Sequence, residues 1–351
     1  MKTSEPIFSL FACCIPVKGA RRSVICDLQR NSFRFIPNDL FKILVEHRGR
    51  TLSDIKAAYN NECDAEIDEY FDFLISEEFG FWCQDPDNFP PLDLSWEPPE
   101  RISNAIIDID AESEHDLNKI FEELDDLGCK ALEVRFFCAC KASDLRKVLE
   151  YTRFGRLRSI HLLAGYTDDL RERALEELGT EFPRVSSFVI HSAPEVRRVD
   201  LEGIGVTVHY RTEIIDSPAC CGKVHPGYFI VNIETFAEAQ KHNTCLNRKI
   251  AVDVRGDIRN CPSLPKTFGN SRQVSLHSAL AQRDFKELWL INKDSVEVCK
   301  DCEFRYICTD CRAYLVDKDD QLSKPRKCNY DPYTAEWNPV NYGSPKIDNY
   351  D

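Results

Sequence analysis

The feature that most constrains this chain is Cys299-Lys-Asp-Cys302-Glu-Phe-Arg-Tyr-Ile-Cys308-Thr-Asp-Cys311, followed by Cys328. A buried thiolate is costly unless a soft cation holds it, so four thiols so close in sequence point to a metal or cluster site. Each C-x2-C pair can turn two sulfurs toward one centre. Phe304, Tyr306 and Ile307 lie between the pairs, where they can wall that centre from water. The alternative is a set of structural free thiols.

Upstream, Cys245 is followed by ten residues, Gly256, four more and Cys261. Lys249 to Val254 reads as a strand that turns at Arg255-Gly256-Asp257 into a second, a hairpin that brings Cys245 and Cys261 side by side at its open end. With Cys220 and Cys221, the stretch from 220 to 328 holds nine of the seventeen cysteines. That is enough for two four-ligand sites with one thiol over.

Length and charge set the surroundings of this motif. A chain of 351 residues, 43% hydrophobic, predicts two or three domains with ordinary cores. A net charge of -14 argues against nucleic acid or an anionic membrane as a partner and leaves a basic peptide or a small ligand. The apolar run Ile7 to Val17 follows Glu5 and Pro6, and its basic residues come after it, which is the reverse of a secretory signal. It reads as a strand; no run reaches transmembrane length, and the clustered cysteines suit a reducing cytoplasm.

Residues 1–92 read as a small module. Two β-rich runs, Phe8 to Val17 and Ser23 to Pro37, are joined by Lys18-Gly19-Ala20-Arg21. Three helices follow: one capped by Asn38 and ended by Gly49, one opened by Thr51 with Asp54, and one from Asp64 carrying Ile67, Tyr70, Phe71, Leu74 and Ile75 on one face. A short strand, Phe81-Trp82-Cys83, closes a winged-helix-like arrangement. Its acidic third helix, with Glu66, Asp68, Glu69 and Asp72, speaks against DNA. A proline-rich linker, Gln84 to Glu100, marks a boundary.

Between 101 and 215, strand-like runs begin near Asn104, Ala131, Ser159 and Ser186, with amphipathic segments between them and a fifth strand at Gly205 to Tyr210. Ser113 reads as the cap of the first helix there. This alternation predicts parallel βαβ units in a partial barrel or open sheet, so the fold class is α/β. Cys138 and Cys140 read as a pair of small buried residues, with a redox pair or extra ligands as the alternative, and His161, His191 and His209 read as satisfied core histidines rather than catalytic bases. No phosphate-binding loop or nucleophile elbow is present.

The order C-x10-G-x4-C, gap, C-x2-C-x5-C-x2-C, gap, C resembles the SPASM domain, the C-terminal extension of radical SAM peptide-modifying enzymes. It departs in one place: the usual form has three residues before the sixth cysteine. The resemblance implies a cluster-binding domain over 216–351 and two [4Fe-4S] clusters. Cys245, Cys261 and Cys311 would share one cluster with Cys221 or Cys220, while Cys299, Cys302, Cys308 and Cys328 would hold the other. The N-terminal module is similar to the PqqD-like leader-peptide recognition domain, in which an extended peptide is added to an exposed strand edge.

Radical SAM enzymes carry C-x3-C-x2-C after the first barrel strand, and this chain has no such triplet. Asp108-Ile109-Asp110-Ala111-Glu112-Ser113 occupies that loop instead, so 101–215 resembles a degenerate radical SAM barrel with no radical SAM activity expected. The whole chain resembles the peptide maturases of grasp-with-spasm systems. Such proteins accompany an ATP-grasp ligase, so the implied partners are a ribosomally made precursor peptide and that ligase. Two other readings stay open: a redox enzyme that applies its clusters to a peptide, and a zinc-held scaffold, because C-x2-C pairs also suit tetrahedral zinc. No catalytic residue is identified.

Overall fold

The computed structural model of the chain describes residues 5–95 and 97–338. These form two compact bodies. One gathers the residues up to Glu97, Lys223–Thr244 and those from Ile291 onward; the other holds Pro98–Gly222 and Cys245–Leu290. Among the described residues no helix is long and apolar enough to cross a membrane.

The first body begins with strands β1 (Ile7–Leu10), β2 (Cys14–Val17), β3 (Ser23–Asp27) and β4 (Ser32–Ile36). Helices α1 (Asn38–Glu46), α2 (Leu52–Ala58) and α3 (Asp64–Ser76) follow, then β5 (Gly80–Cys83). β2, β3 and β4 form an antiparallel meander, and β1 pairs with β5. Each of the two β-rich runs is therefore broken. The first bends at Phe11–Cys13, where the Cys14 N–H donates to the Phe11 carbonyl at 2.8 Å. The second turns after Asp27, whose carboxylate accepts the Gln29 and Arg30 N–H groups at 3.0 and 2.9 Å, and Asn31 takes a left-handed φ of +54°. Asp and Asn serve such turns because short polar side chains satisfy the local backbone.

Thr51 caps α2, accepting the Asp54 N–H at 3.1 Å. Asn38 does not cap α1. Pro37 stands at that position, and Asn38 accepts the Ser23 hydroxyl at 2.7 Å while donating to the Gly19 and Ala20 carbonyls, which ties the helix start to the hairpin loop. Ile67, Phe71 and Leu74 of α3 pack with Leu40, Ile43, Ile55 and Phe8, whereas Ile75 is exposed. A second core joins Val17, Val24, Cys26 and Leu28 of the meander to Val231, Phe236, Phe304, Ile307, Cys308 and Tyr330. The C-terminal cysteine segment thus folds onto the N-terminal sheet, and the Phe33 and Phe35 rings lie 5.6 and 5.8 Å from that of Phe304.

The second body is one eight-stranded sheet with helices. In chain order it runs β6 (Asn104–Ile109), α4 (Leu117–Asp126), β7 (Ala131–Ala139), α5 (Ala142–Glu150), β8 (Ser159–Gly165), α6 (Glu172–Glu181), β9 (Val185–His191), β10 (Arg197–Leu201), β11 (Val206–Tyr210), β12 (Lys249–Val252) and β13 (Ile258–Arg259). The spatial order is β10-β11-β9-β8-β7-β6-β12-β13. The six inner strands are parallel and the two outer ones antiparallel, so the body is α/β with a mostly parallel sheet.

Four of the parallel strands start at or beside the positions that the sequence period marks. β10 escapes that reading because Arg197-Arg198-Val199-Asp200 is polar, as suits an edge. β12 and β13 form the expected hairpin, and β12 also pairs with β6, burying Ile250, Ala251 and Val252. Ser113 does not cap α4. Asp116 does, accepting the Lys119 N–H at 3.1 Å, while the Ser113 hydroxyl bonds Asp110 and the Val254 carbonyl.

β7 and β8 shift register between Arg135 and Ala139, and Gly165 makes room for the irregularity. A Cβ there would lie 2.3 Å from the Cys138 carbonyl oxygen, so β7 would have to move. Gly165→Ala is expected to destabilise by about 1–3 kcal/mol in urea unfolding. Gly203→Ala, with nothing within 4 Å, should stay within about 0.5 kcal/mol of the parent.

Candidate metal centres

In the first body Cys299 opens a single 3-10 turn, and Cys302 donates its N–H back to the Cys299 carbonyl at 3.0 Å. Val298, just before it, has φ +66° and ψ -43°, and the Cys299 N–H closes a γ-turn onto the Glu297 carbonyl at 2.7 Å. Such a conformation costs a β-branched residue about 1–3 kcal/mol. It persists because the flanking chain is fixed: the Glu297 N–H donates to the Leu322 carbonyl at 2.8 Å. Cys308 and Cys328 are placed by their own turns, their N–H groups bonding the Phe304 and Pro325 carbonyls.

These four thiols sit within one another's field. Burial pushes Cys308 up to about 12, opposed by Lys293 and reinforced by Cys328 and Cys299. Burial likewise raises Cys299, with Lys293 opposing and Asp310 and Cys328 adding, and raises Cys302, where Cys308 and Cys299 contribute. With no ion bound, the buried thiols therefore stay protonated at neutral pH, and binding a metal has to release protons.

Beside them lie Lys293, Asp310 and Arg312, at 5%, 1% and 1% exposure. Arg312 bonds Asp310 at 2.6 Å, Asn243 donates to the same carboxylate at 2.8 Å, and Lys293 lies 3.7 Å from it while bonding the Thr309 carbonyl. Two buried cations thus share one carboxylate. An uncompensated buried charge is costly, so this pocket suits an anionic neighbour, which four metal-bound thiolates would be. Cys311 belongs to this body too, between Asp310 and Arg312 in sequence, and is buried.

The second body gathers another thiol set around Lys249. Its ammonium lies 3.5 Å from the Cys245 sulfur. Burial pulls the Lys249 pKa down, but Cys245, Cys261, Cys221 and the Glu133 carboxylate more than offset that. Cys261 is pushed up to about 12 by burial and by Cys245, against Lys249. Cys221 is drawn down to about 6, first by a hydrogen bond from Cys220, then, against burial and Glu133, by Arg135 and Lys249; the same bond drives Cys220 up. The hydrogen bond within the vicinal pair therefore favours the ionised form at Cys221 over Cys220.

Arg135 joins this set to the sheet. Its guanidinium lies 3.6 Å from the Cys221 sulfur and clasps Asp108 at 2.7 and 2.8 Å, both partners being 1% exposed. Burial lifts Asp108 to about 6 despite that clasp. The pair spans neighbouring parallel strands at directly registered positions.

The structure therefore places Cys299, Cys302, Cys308 and Cys328 in one body and Cys220, Cys221, Cys245 and Cys261 in the other, while Cys311, expected beside Cys245 and Cys261, belongs to the body of the first set. Among the described residues, no three thiols of either set lie within 4.8 Å of one another. Tetrahedral zinc with bonds of about 2.3 Å would hold sulfurs about 3.8 Å apart, so a single ion would require either set to draw closer.

Of the other sequence candidates, Cys140 is buried and pushed up to about 12 by burial. His191 is buried and bonded to the Phe136 carbonyl and the Ser192 hydroxyl, and His209 is half-buried. His161 is not a core residue: it lies on an exposed sheet face, bonded to Ser159 and Ser187. Asp108, read from sequence as the start of the loop after the first strand, lies inside β6 in Ile-Ile-Asp-Ile, and the charges missed from sequence are Arg135 in Val-Arg-Phe and Lys249 before Ile-Ala-Val. A charge inside an apolar run of a parallel sheet is the available signal, since both faces there are covered.

No protein-family model and no curated protein matches this chain. Among solved structures, one similar chain is that of the crystal structure of Streptococcus suis SuiB bound to S-adenosylmethionine. It is 9% identical over 92% of this chain and 97% of that one, with a TM-score of 0.38. A likeness at that level says nothing of activity, which has to be read from this chain's own residues.

Arg135→Met is expected to strand Asp108 as a buried unpaired carboxylate, at a cost of about 3–5 kcal/mol in urea unfolding of this body. Asp108→Asn should cost a similar amount. The double variant should cost less than their sum, by a coupling of about 0.5–3 kcal/mol.

Proposed function

We propose that this chain is a maturation partner for a ribosomally made, post-translationally modified peptide. In this reading Cys299, Cys302, Cys308 and Cys328 hold one [4Fe-4S] cluster, and Cys221, Cys245 and Cys261 serve a second. The observation that carries it is the first set: four thiols in the order of the SPASM motif, gathered beside a buried pocket with one excess positive charge. The clusters would supply electron-transfer or Lewis-acid capacity. Lys293, Arg312, Lys249 and Arg135 would offset their charge, and Phe304 and Ile307 would exclude water.

The N-terminal module would bind the precursor's leader as a strand added to β4, an edge of the meander, beside α3. Glu66, Glu69 and Asp72 of α3 are exposed, which favours a basic leader. The chain would act with an ATP-grasp ligase. Reductive cleavage of S-adenosylmethionine is not expected of it, because the loop after β6 offers Asp110 and Glu112 where three thiolates would be needed.

Protein purified without oxygen is expected to carry about eight irons and eight sulfides per chain, and Cys308→Ser about half of that. Zinc without sulfide would overturn the cluster assignment. The partner role is tested by a pull-down with the precursor and the ligase, and retention of neither would overturn it.

A further inference from the structure

A third group of ligands lies far from the cysteine motif in sequence. Cys14 and Asp27 are directly opposite each other in the β2–β3 register, so their side chains share one face of the meander. The bend before β2 adds Cys13. One ligand atom from each of the three lies within 4.8 Å of the other two, and the Gln29 amide oxygen is 3.7 Å from the Cys13 sulfur. We propose that Cys13, Cys14 and Asp27 form a zinc-type divalent-cation site, independent of the C-terminal thiols.

The donor set fits. Two thiolates and one carboxylate select a soft, tetrahedral ion over calcium or magnesium. Zinc at about 2.3 Å from sulfur and 2.0–2.2 Å from oxygen needs its ligands about 3.5–3.8 Å apart, inside the 4.8 Å that bounds the present spacing. The ligands line a surface cavity of about 400 Å³ together with Gln29, Arg30 and Glu78, which leaves room for a fourth ligand, water or the Gln29 oxygen.

The surroundings are built for it as well. Asp27 is oriented by the Gln29 and Arg30 N–H groups and by the Arg30 guanidinium at 2.6 Å. A carboxylate has about four acceptor positions, so one remains for a metal, and hydrogen-bonded carboxylates are the usual ligating kind. Two thiolates and a carboxylate around a divalent ion leave one negative charge, which Arg30 balances. The ion would tie the bend at residues 11–13 to β3.

The test is zinc stoichiometry on the full chain, stripped with a chelator and dialysed against zinc. Cys13→Ser and the double variant Cys13→Ser/Cys14→Ser are compared with the parent and with Cys63→Ser, an exposed cysteine outside the group. Cys13 is only half-buried, so its serine variant should keep the parent's circular dichroism. The site predicts a loss of about one zinc equivalent in both variants and none in Cys63→Ser. It also predicts that zinc raises the parent's Tm more than that of the folded Cys13→Ser protein. Equal stoichiometry across all four proteins would overturn it. The comparison is a difference of one equivalent, so it reads correctly whether the C-terminal thiols hold iron or zinc, and its failure is distinct from failure of the cluster assignment.

Discussion

The constraint on which the rest of this structure depends is the burial of positive charge beside thiols. Lys293 and Arg312 share Asp310 in one body, and Lys249 and Arg135 face thiols in the other. A protein interior tolerates an ammonium or guanidinium only when an anion answers it. The carboxylates Asp310 and Asp108 answer part of the charge, Glu133 also faces Lys249 and Arg135, and the neighbouring thiols are the remaining groups able to answer it.

The two pockets are reached by different routes. In the sheet body, parallel strands deliver the groups: β6 brings Asp108, β7 brings Arg135 and Glu133, and β12 brings Lys249. In the other body almost no regular structure is involved. Short turns aim Cys299, Cys302, Cys308 and Cys328, and the meander core supplies the rigidity that such turns lack. Arg22, on the β2–β3 loop, bonds Glu303 at 2.9 Å and so anchors the residue after Cys302. Gly19 lies so close that a Cβ would come within 2.9 Å of the Glu303 side chain.

Much of this was readable in the sequence, and what was not has a common cause. The period of about 27 residues located four of the inner parallel strands because buried strands are continuous apolar runs, whereas the cysteine order did not sort the thiols by body, since Cys311 lies with Cys299, Cys302 and Cys308. Helix starts were less secure: Asn38 and Ser113 look like caps, but each has a stronger tertiary partner, in Ser23 and the Gly19–Ala20 loop for one and in Val254 for the other. The edge strand β10 carries too little apolar surface to announce itself. Asp27, Cys13 and Cys14 could not be linked before the register of β2 on β3 was known, because their proximity comes from the Cys14–Asp27 pairing, thirteen residues apart in the chain.

Val298 couples a local backbone cost to the placement of the Cys299 thiol. A valine at φ +66° is a standing cost, and a glycine there would remove it. The γ-turn it forms delivers the Cys299 thiol toward Cys308 and Cys328 while the Glu297 N–H stays on the Leu322 carbonyl. A free-thiol core would gain nothing from that placement, since packing a small apolar sulfur needs no strained approach. Placement at a cost makes sense where the Cys299 sulfur has to be held in one position, beside Lys293 and within reach of the field of Cys328.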